Sequence, residues 1–260
     1  MSPEGEDQLA PLMAAIVATL ELMSAAIPGG WSRAEEGVFA AATGARAAMM
    51  NVVLGHAPAP PAALVGELLD AVAALGVPHS LQLRAAAAGE LAAEAERRGM
   101  AFAAEVPLLA LADAGRLEAA LDRRGPGLAL RQIAPAEAPF HHRVGAAAFG
   151  EPTDIFARVT SPVVLEAPGM SCYVGELDGE PVATALSVLT PGHVAIFNVA
   201  TLEGHRGRGY GAAITALAVR DGFARGARTA WLNSTPMGLG VYERLGFAVV
   251  DRWRTWITTA

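Results

Sequence analysis

Val194-Ala195-Ile196-Phe197-Asn198-Val199-Ala200-Thr201 is an apolar run that leads, a few residues later, into Arg206-Gly207-Arg208-Gly209-Tyr210-Gly211. Further on stands Tyr242-Glu243-Arg244-Leu245-Gly246-Phe247. The stretch from Asn198 to Phe247 reads as strand, glycine-rich turn, helix, strand, helix. A helix that begins at a glycine turn offers unpaired N–H groups and the positive end of its dipole to an anion. Gly207, Gly209 and Gly211 allow close approach of a pyrophosphate, and Arg206 and Arg208 add positive charge. The same residues satisfy a dinucleotide fingerprint, Gly207-x-Gly209-x-x-Ala212. That fingerprint expects an acid at the end of the next strand. Here that strand ends Trp231-Leu232-Asn233, so the dinucleotide reading is disfavoured.

Upstream, Ser171–Leu177 and Pro181–Leu189 read as strands joined by the hairpin turn Asp178-Gly179, and Pro191-Gly192 turns the chain into the Val194 run. Consecutive hairpin strands point to an antiparallel or mixed sheet. Residues 128–133 open this half as a strand, and 136–149 and 153–159 read as helices. Downstream, 229–233 and 248–256 read as strands, and 237–245 as a helix. The N-terminal half begins with a helix over 8–26. Strands follow at 37–42, 48–54, 80–83 and 101–106, the last stopped by Pro107. Helices occupy the stretch after Pro61 and 89–98, with Gly99 as a C-terminal cap. Residues 107–127 read as a linker with a short helical piece, which sets a boundary between domains 1–127 and 128–260.

The two halves align without a gap. Asn51-Val52 corresponds to Asn198-Val199, and Gly99-Met100 to Gly246-Phe247, 48 residues apart in each case (99 − 51 and 246 − 198). Opposite Arg206–Gly211 the first half carries Ala59-Pro60-Pro61-Ala62-Ala63-Leu64, whose prolines lack N–H groups, and opposite Tyr242 it carries Ala95. The first half therefore reads as a second copy without the anion-binding chemistry.

Composition narrows the function. The net charge is −7 over 260 residues, which argues against nucleic acid and mildly favours a cationic or neutral acceptor. There is no lysine, so no Walker-type phosphate loop. Cys172 is the single cysteine and reads as packing; no internal disulfide is available, in keeping with the cytoplasm. The apolar stretch 12–27 follows Glu4, Glu6 and Asp7 and is interrupted by Glu21, which argues for an amphipathic helix and against a signal peptide or membrane span. His141-His142 are adjacent on a helix and point apart, so they do not read as a metal site.

Residues 128–256 resemble the GNAT N-acetyltransferase superfamily, and the N-terminal half does so in outline. The family's loop pattern, Gln/Arg-x-x-Gly-x-Gly/Ala, is matched by Arg206, Gly209 and Gly211. Its Gly-Phe, four residues after a tyrosine, is matched by Gly246-Phe247 and Tyr242. The resemblance implies an α/β (α+β) fold with a mixed, mostly antiparallel sheet flanked by helices, in two tandem copies, the N-terminal one degenerate. It implies an acetyl-CoA-dependent N-acetyltransferase that transfers an acetyl group by direct attack of an amine. Acetyl-CoA is then expected along Val199, Ala200 and Thr201, on Arg206, Gly207, Arg208, Gly209, Tyr210 and Gly211, and beside Asn233. Tyr242 is the expected general acid toward the departing thiolate.

Many members place a glutamate on the strand before the loop, where this chain has Asn198; Glu203 in the loop is the candidate base, with His193 and His205 nearby. The first helices of such a domain line the acceptor, which brings in Phe140, His141, Phe149, Asp154 and Phe156. The acceptor is a small-molecule amine or a protein amine, N-terminal or side-chain. A non-catalytic acyl-CoA sensor is the alternative. Whether the copies complete one unit or associate as a homodimer stays open.

Overall fold

The computed structural model describes residues 3–258, with side chains from Leu9 onward. In the first half the elements are α1 (Pro3–Ala26), β1 (Trp31–Glu35), β2 (Val38–Ala42), β3 (Asn51–Gly55), α2 (Ala62–Ala73), β4 (Ser80–Arg84), α3 (Gly89–Arg97) and β5 (Met100–Leu111). The second half opens with α4 (Leu117–Asp122), β6 (Ala129–Ile133), α5 (Ala138–Phe149), α6 (Thr153–Val159) and α7 (Pro162–Leu165). It continues through β7 (Met170–Leu177), β8 (Glu180–Thr190), β9 (His193–Thr201), α8 (Tyr210–Ala224), β10 (Thr229–Asn233), α9 (Pro236–Leu245) and β11 (Ala248–Thr258).

The class is the expected mixed α/β one, and most elements fall where periodicity and turn residues put them. Three differ. Trp31–Glu35 pairs with β2 as an edge strand, where charged residues are tolerated and hide the pattern. Pro107 does not stop β5, which continues to Leu111; a proline is accommodated where its missing N–H is not needed for pairing. Residues 48–50 form a 3-10 turn, so β3 begins at Asn51.

The chain forms two compact units, one of the described residues up to Leu108 and from Val250 onward, the other of Leu109–Val249. In the first unit the strand order is β1-β2-β3-β4-β11-β5. β3 and β4 are parallel, from Val52↔Ser80 to Gly55↔Leu83, and α2 makes the crossover with Leu64, Val65, Leu68, Leu69 and Val72 buried. β11 closes against β4 in antiparallel register, Trp253↔Arg84 to Ile257↔Ser80. Arg84 Nε donates to Asp251 Oδ2 at 2.6 Å, and both side chains are buried. α1 is long and apolar enough to cross a membrane by length and composition. Its Leu9, Leu12, Met13 and Ile16 are nonetheless buried, at the spacing of a helix packed on the body, as the sequence suggests.

In the second unit the order is β10-β9-β8-β7-β6. β6 to β9 form an antiparallel meander, with Asp178 and Gly179 at φ 52 and 82 in the hairpin turn. β10 is parallel to β9. α8 buries Ala213, Ile214, Ala216 and Leu217 in a core shared with Val194 and Ile196 of β9. A Cβ on Gly222 would lie 2.7 Å from Val194 Cβ, so α8 approaches β9 more closely there than any other side chain permits. Cys172 is buried in β7, and burial pushes its thiol up to about 12, so it packs as an apolar residue.

Removing one partner of a buried ion pair costs about 3–5 kcal/mol. Asp251→Ala is expected to lower the stability of the first unit by that order in urea unfolding. The double replacement of Arg84 by Met and Asp251 by Leu is expected to recover most of the loss.

Candidate active site

β9 and β10 pair only from Thr229↔His193 to Trp231↔Ala195. Beyond Ala195 the two strands diverge and leave the β10-facing edge of β9 open. On its other edge β9 carries a bulge. Thr184 pairs with Ala200 and Leu186 with Phe197, so Asn198 and Val199 together stand opposite Ala185. Asn198 takes φ 51, a left-handed conformation that costs a non-glycine residue on the order of 1 kcal/mol. The register gives neither Asn198 nor Val199 a Cα partner on either edge, and past Ala195 the β10-facing edge of β9 runs along the opening.

A cleft of about 1410 Å³ opens at this divergence, lined by Asn198, Val199 and Thr201 on one side and Asn233, Pro236 and Tyr242 on the other. Its end is the glycine turn. Gly207 and Gly209 lie at φ 76 and 81, where only glycine is unstrained, and Gly209 is the N-cap of α8. Gly211 has no such demand; a Cβ there would meet only Thr201 Oγ1, at 3.6 Å.

Tyr242 is held by the end of α9. The Gly246 N–H donates to Glu243 O and the Phe247 N–H to Tyr242 O, both at 3.0 Å, with Gly246 at φ 99. This is a Schellman cap, and the Phe247 ring packs edge-on to Tyr242 at 6.0 Å, which explains the Tyr-x-x-x-Gly-Phe spacing. Burial pushes the Tyr242 phenol up to about 12, so it stays protonated at neutral pH.

Residues 136–247 match the acetyltransferase (GNAT) family. The match covers the meander, the turn, α8 and α9, which is the part of the chain that builds the cleft. A GCN5-related N-acetyltransferase from Kribbella flavida is similar in structure, with 24% identity and a TM-score of 0.70 over 95% of this chain and 96% of that one. A second, from Sphaerobacter thermophilus, has 18% identity and a TM-score of 0.57 over 85% of this chain and 76% of that one. A tandem GNAT protein from the clavulanic acid biosynthesis pathway has 16% identity and a TM-score of 0.56 over 85% and 78%. These likenesses establish a shared fold. A search of the curated proteins finds no match. The family match supports acyltransferase activity.

The cleft gathers most, but not all, of the residues that the sequence singles out. Val199, Thr201, Arg206, Gly207, Gly209, Tyr210, Gly211, Asn233 and Tyr242 line it. Ala200 does not; side chains alternate along a strand, and its side chain is buried while Val199 and Thr201 face the cleft. Arg208 is exposed and points elsewhere, and Glu203 is exposed in the 3-10 turn before the glycine loop, off the cleft wall.

Arg206 does more than add charge. Its Nε donates to Thr201 O at 3.2 Å and its Nη2 to Ala148 O at 3.0 Å, so it ties the end of β9 to the last turn of α5. A cation there also suits the negative end of the α5 dipole. Tyr210 is buried at the start of α8 with its ring stacked on His205, centroids 6.5 Å apart.

Of the acceptor-side candidates, Phe149 lines the cleft, whereas Phe140, His141, Asp154 and Phe156 do not. His141 is buried, its Nδ1 2.6 Å from Thr184 Oγ1, and burial lowers its pKa to about 3, so it is neutral packing. His142 Nε2 lies 2.9 Å from Thr160 O. The sequence reading missed Arg116 and Arg123, which flank α4 in the presumed linker, and Arg244 on α9; all three line the cleft. For Arg244 the signal was available, because it falls inside the tyrosine motif.

Asn198→Gly is expected to leave stability within about 0.5 kcal/mol of the parent, whereas Asn198→Val, β-branched at positive φ, is expected to cost about 1–2 kcal/mol. Thermal unfolding of both variants measures the difference.

Proposed function

We propose that the chain is an acetyl-CoA-dependent N-acetyltransferase whose single active site is the cleft between β9 and β10. The observation that carries this reading is the convergence, in one cleft, of the bulged stretch Asn198–Val199 beyond the last β9–β10 pair, the glycine turn at the start of α8, and Tyr242. At about 1410 Å³ the cleft exceeds the usual 300–1,000 Å³ of a compact ligand site, as a long cosubstrate with an acceptor beside it requires.

The charge of the wall supports the same ligand. Arg116, Arg123, Arg206 and Arg244 line the cleft, and among the described residues none forms an ion pair. Elsewhere Arg33, Arg84, Arg97, Arg98, Arg131 and Arg252 are all paired with carboxylates. Unpaired arginines beside a helix N-terminus suit a polyphosphate.

In the proposed reaction acetyl-CoA supplies an activated thioester. The acceptor nitrogen forms a bond to the carbonyl carbon, the C–S bond breaks with its electron pair going to sulfur, and the ammonium proton is lost to water. The Val199 N–H polarises the carbonyl oxygen, a contribution of about 10²–10³ for one such donor. Tyr242 donates its O–H toward the sulfur. With the phenol pushed up to about 12 and a free thiol near 8.5, full transfer is uphill; Tyr242 acts mainly as a hydrogen-bond donor to the thiolate. This placement favours catalysis over a sensor role, which has no use for a donor at that point.

We also infer that the first unit is a degenerate copy. The order β2, β3, α2, β4, α3 repeats β8, β9, α8, β10, α9, with a parallel pair joined through a helix in both. The counterpart of Asn198, Asn51, is fully buried and its side chain bonds Thr43 N, Gly44 N, Ala45 O and Pro78 O. β2 and β3 pair without a bulge, and β3 stays paired with β4 to its last residue, Gly55. No divergence opens there.

Calorimetry is expected to give one equivalent of acetyl-CoA per chain; two equivalents, or binding of NAD instead, overturns the assignment. Tyr242→Phe is expected to lower kcat by at least tenfold while leaving the Kd for CoA within threefold. Because the phenol stays protonated to about pH 12, kcat in the parent should show no falling limb from this group below about pH 11.

A further inference from the structure

The catalytic cleft is cationic and apolar, and this bears on what it accepts. Its charged side chains are all arginines, and no aspartate or glutamate lines it among the described residues. Glu203, the one carboxylate near the loop in sequence, is exposed and off the wall. The rest of the wall includes Phe149, Phe197, Met237 and Val241. Phe149 and Met237 are 46% and 74% exposed, so apolar surface stands open to an incoming molecule. Phe197 is braced edge-on by Trp231 at 5.5 Å.

An amine attacks only as the free base. With the wall arginines engaged by the phosphates of the cosubstrate, a protonated acceptor entering this cleft finds no carboxylate among the described wall residues to hold its ammonium or take its proton. The fraction already neutral in solution therefore decides. At pH 7.5 an α-amine, with a pKa of about 7.7–8.0, is about one-third neutral, whereas a lysine-type amine near 10.4 is neutral in about one molecule per thousand. His205 also lines the cleft, but it lies in the loop with its ring stacked on Tyr210. That position is beside the phosphate-binding turn.

We infer that the acceptor is a weakly basic amine on an apolar, non-cationic body, of the kind presented by the α-amino group of an apolar amino acid derivative. The apolar side chain rests against Phe149, Phe197 and Met237, and the amine reaches the carbonyl already deprotonated. Polyamines and lysine side chains are selected against by proton occupancy and by the lack of a carboxylate to hold their ammonium groups. This inference rests on the acyl-transfer reading above.

The test compares phenylalaninamide, Nα-acetyl-lysinamide and spermidine as acceptors with acetyl-CoA, following thiol release. Phenylalaninamide is expected to have a kcat/KM at least tenfold above the other two at pH 7.5, with a rising limb at its own amine pKa. Met237→Glu places a carboxylate on the wall and is expected to shift the ratio toward Nα-acetyl-lysinamide by at least threefold. Preference for spermidine or Nα-acetyl-lysinamide in the parent overturns the inference. So does a rising limb that stays at one pH for every acceptor instead of following each acceptor's own amine. Calorimetry separates the two levels. If acetyl-CoA does not bind, the acyl-transfer reading fails; if it binds and a cationic acceptor wins, only this inference fails.

Discussion

Two parallel strands that stop pairing after three residues are the constraint on which the site depends. While β9 and β10 run together, through Trp231↔Ala195, their backbone groups satisfy one another. Once they part, the edge of β9 needs another partner, and the bulge at Asn198 strips pairing from its other edge as well. The open backbone is thus a consequence of sheet geometry. The surrounding elements keep it from collapsing: α8 is drawn onto β9 at Gly222, and Arg206 holds the end of β9 to α5.

The first unit contains the same kind of parallel pair without the divergence, which isolates what the difference requires. There β3 is in register with β2 along its whole length and with β4 to its end. Asn51 spends its amide on the neighbouring backbone, so a side chain that aligns with Asn198 becomes a fastening for the loop 43–47. Pro60 stands 3.0 Å from where a Gly55 Cβ would be. The prolines remove the donors and their rings occupy the space.

Electrostatics in the second unit is organised by exclusion as much as by placement. A chain with net charge −7 builds a cleft whose charged wall residues are all arginines. The overall negative charge mildly favoured a cationic or neutral acceptor; the wall, which has no carboxylate among the described residues, points to the neutral one, because groups within about 10 Å of a site outweigh charges screened beyond a Debye length. Net charge describes solubility and encounter, and the wall residues describe the ligand.

The sequence by itself determined the features whose cause is local. The glycine turn at 207–209, the hairpin at Asp178-Gly179 and the cap that fixes Tyr242 were legible, because each is a few residues whose allowed φ/ψ and near-neighbour hydrogen bonds leave little choice. The helix and strand order followed from periodicity for the same reason. Only the tertiary structure decided what depends on distant partners. The bulge needs β8 to define it; the ion pair Arg84–Asp251 joins residues 167 apart in sequence, and the β4–β11 register is as long-range. Arg116 and Arg123 became wall residues only in the folded chain, where the presumed linker lies against the site, while Ala200 is buried and Arg208 and Glu203 are exposed off the wall. A motif specifies a local conformation, but which side chains meet in space is set by long-range packing.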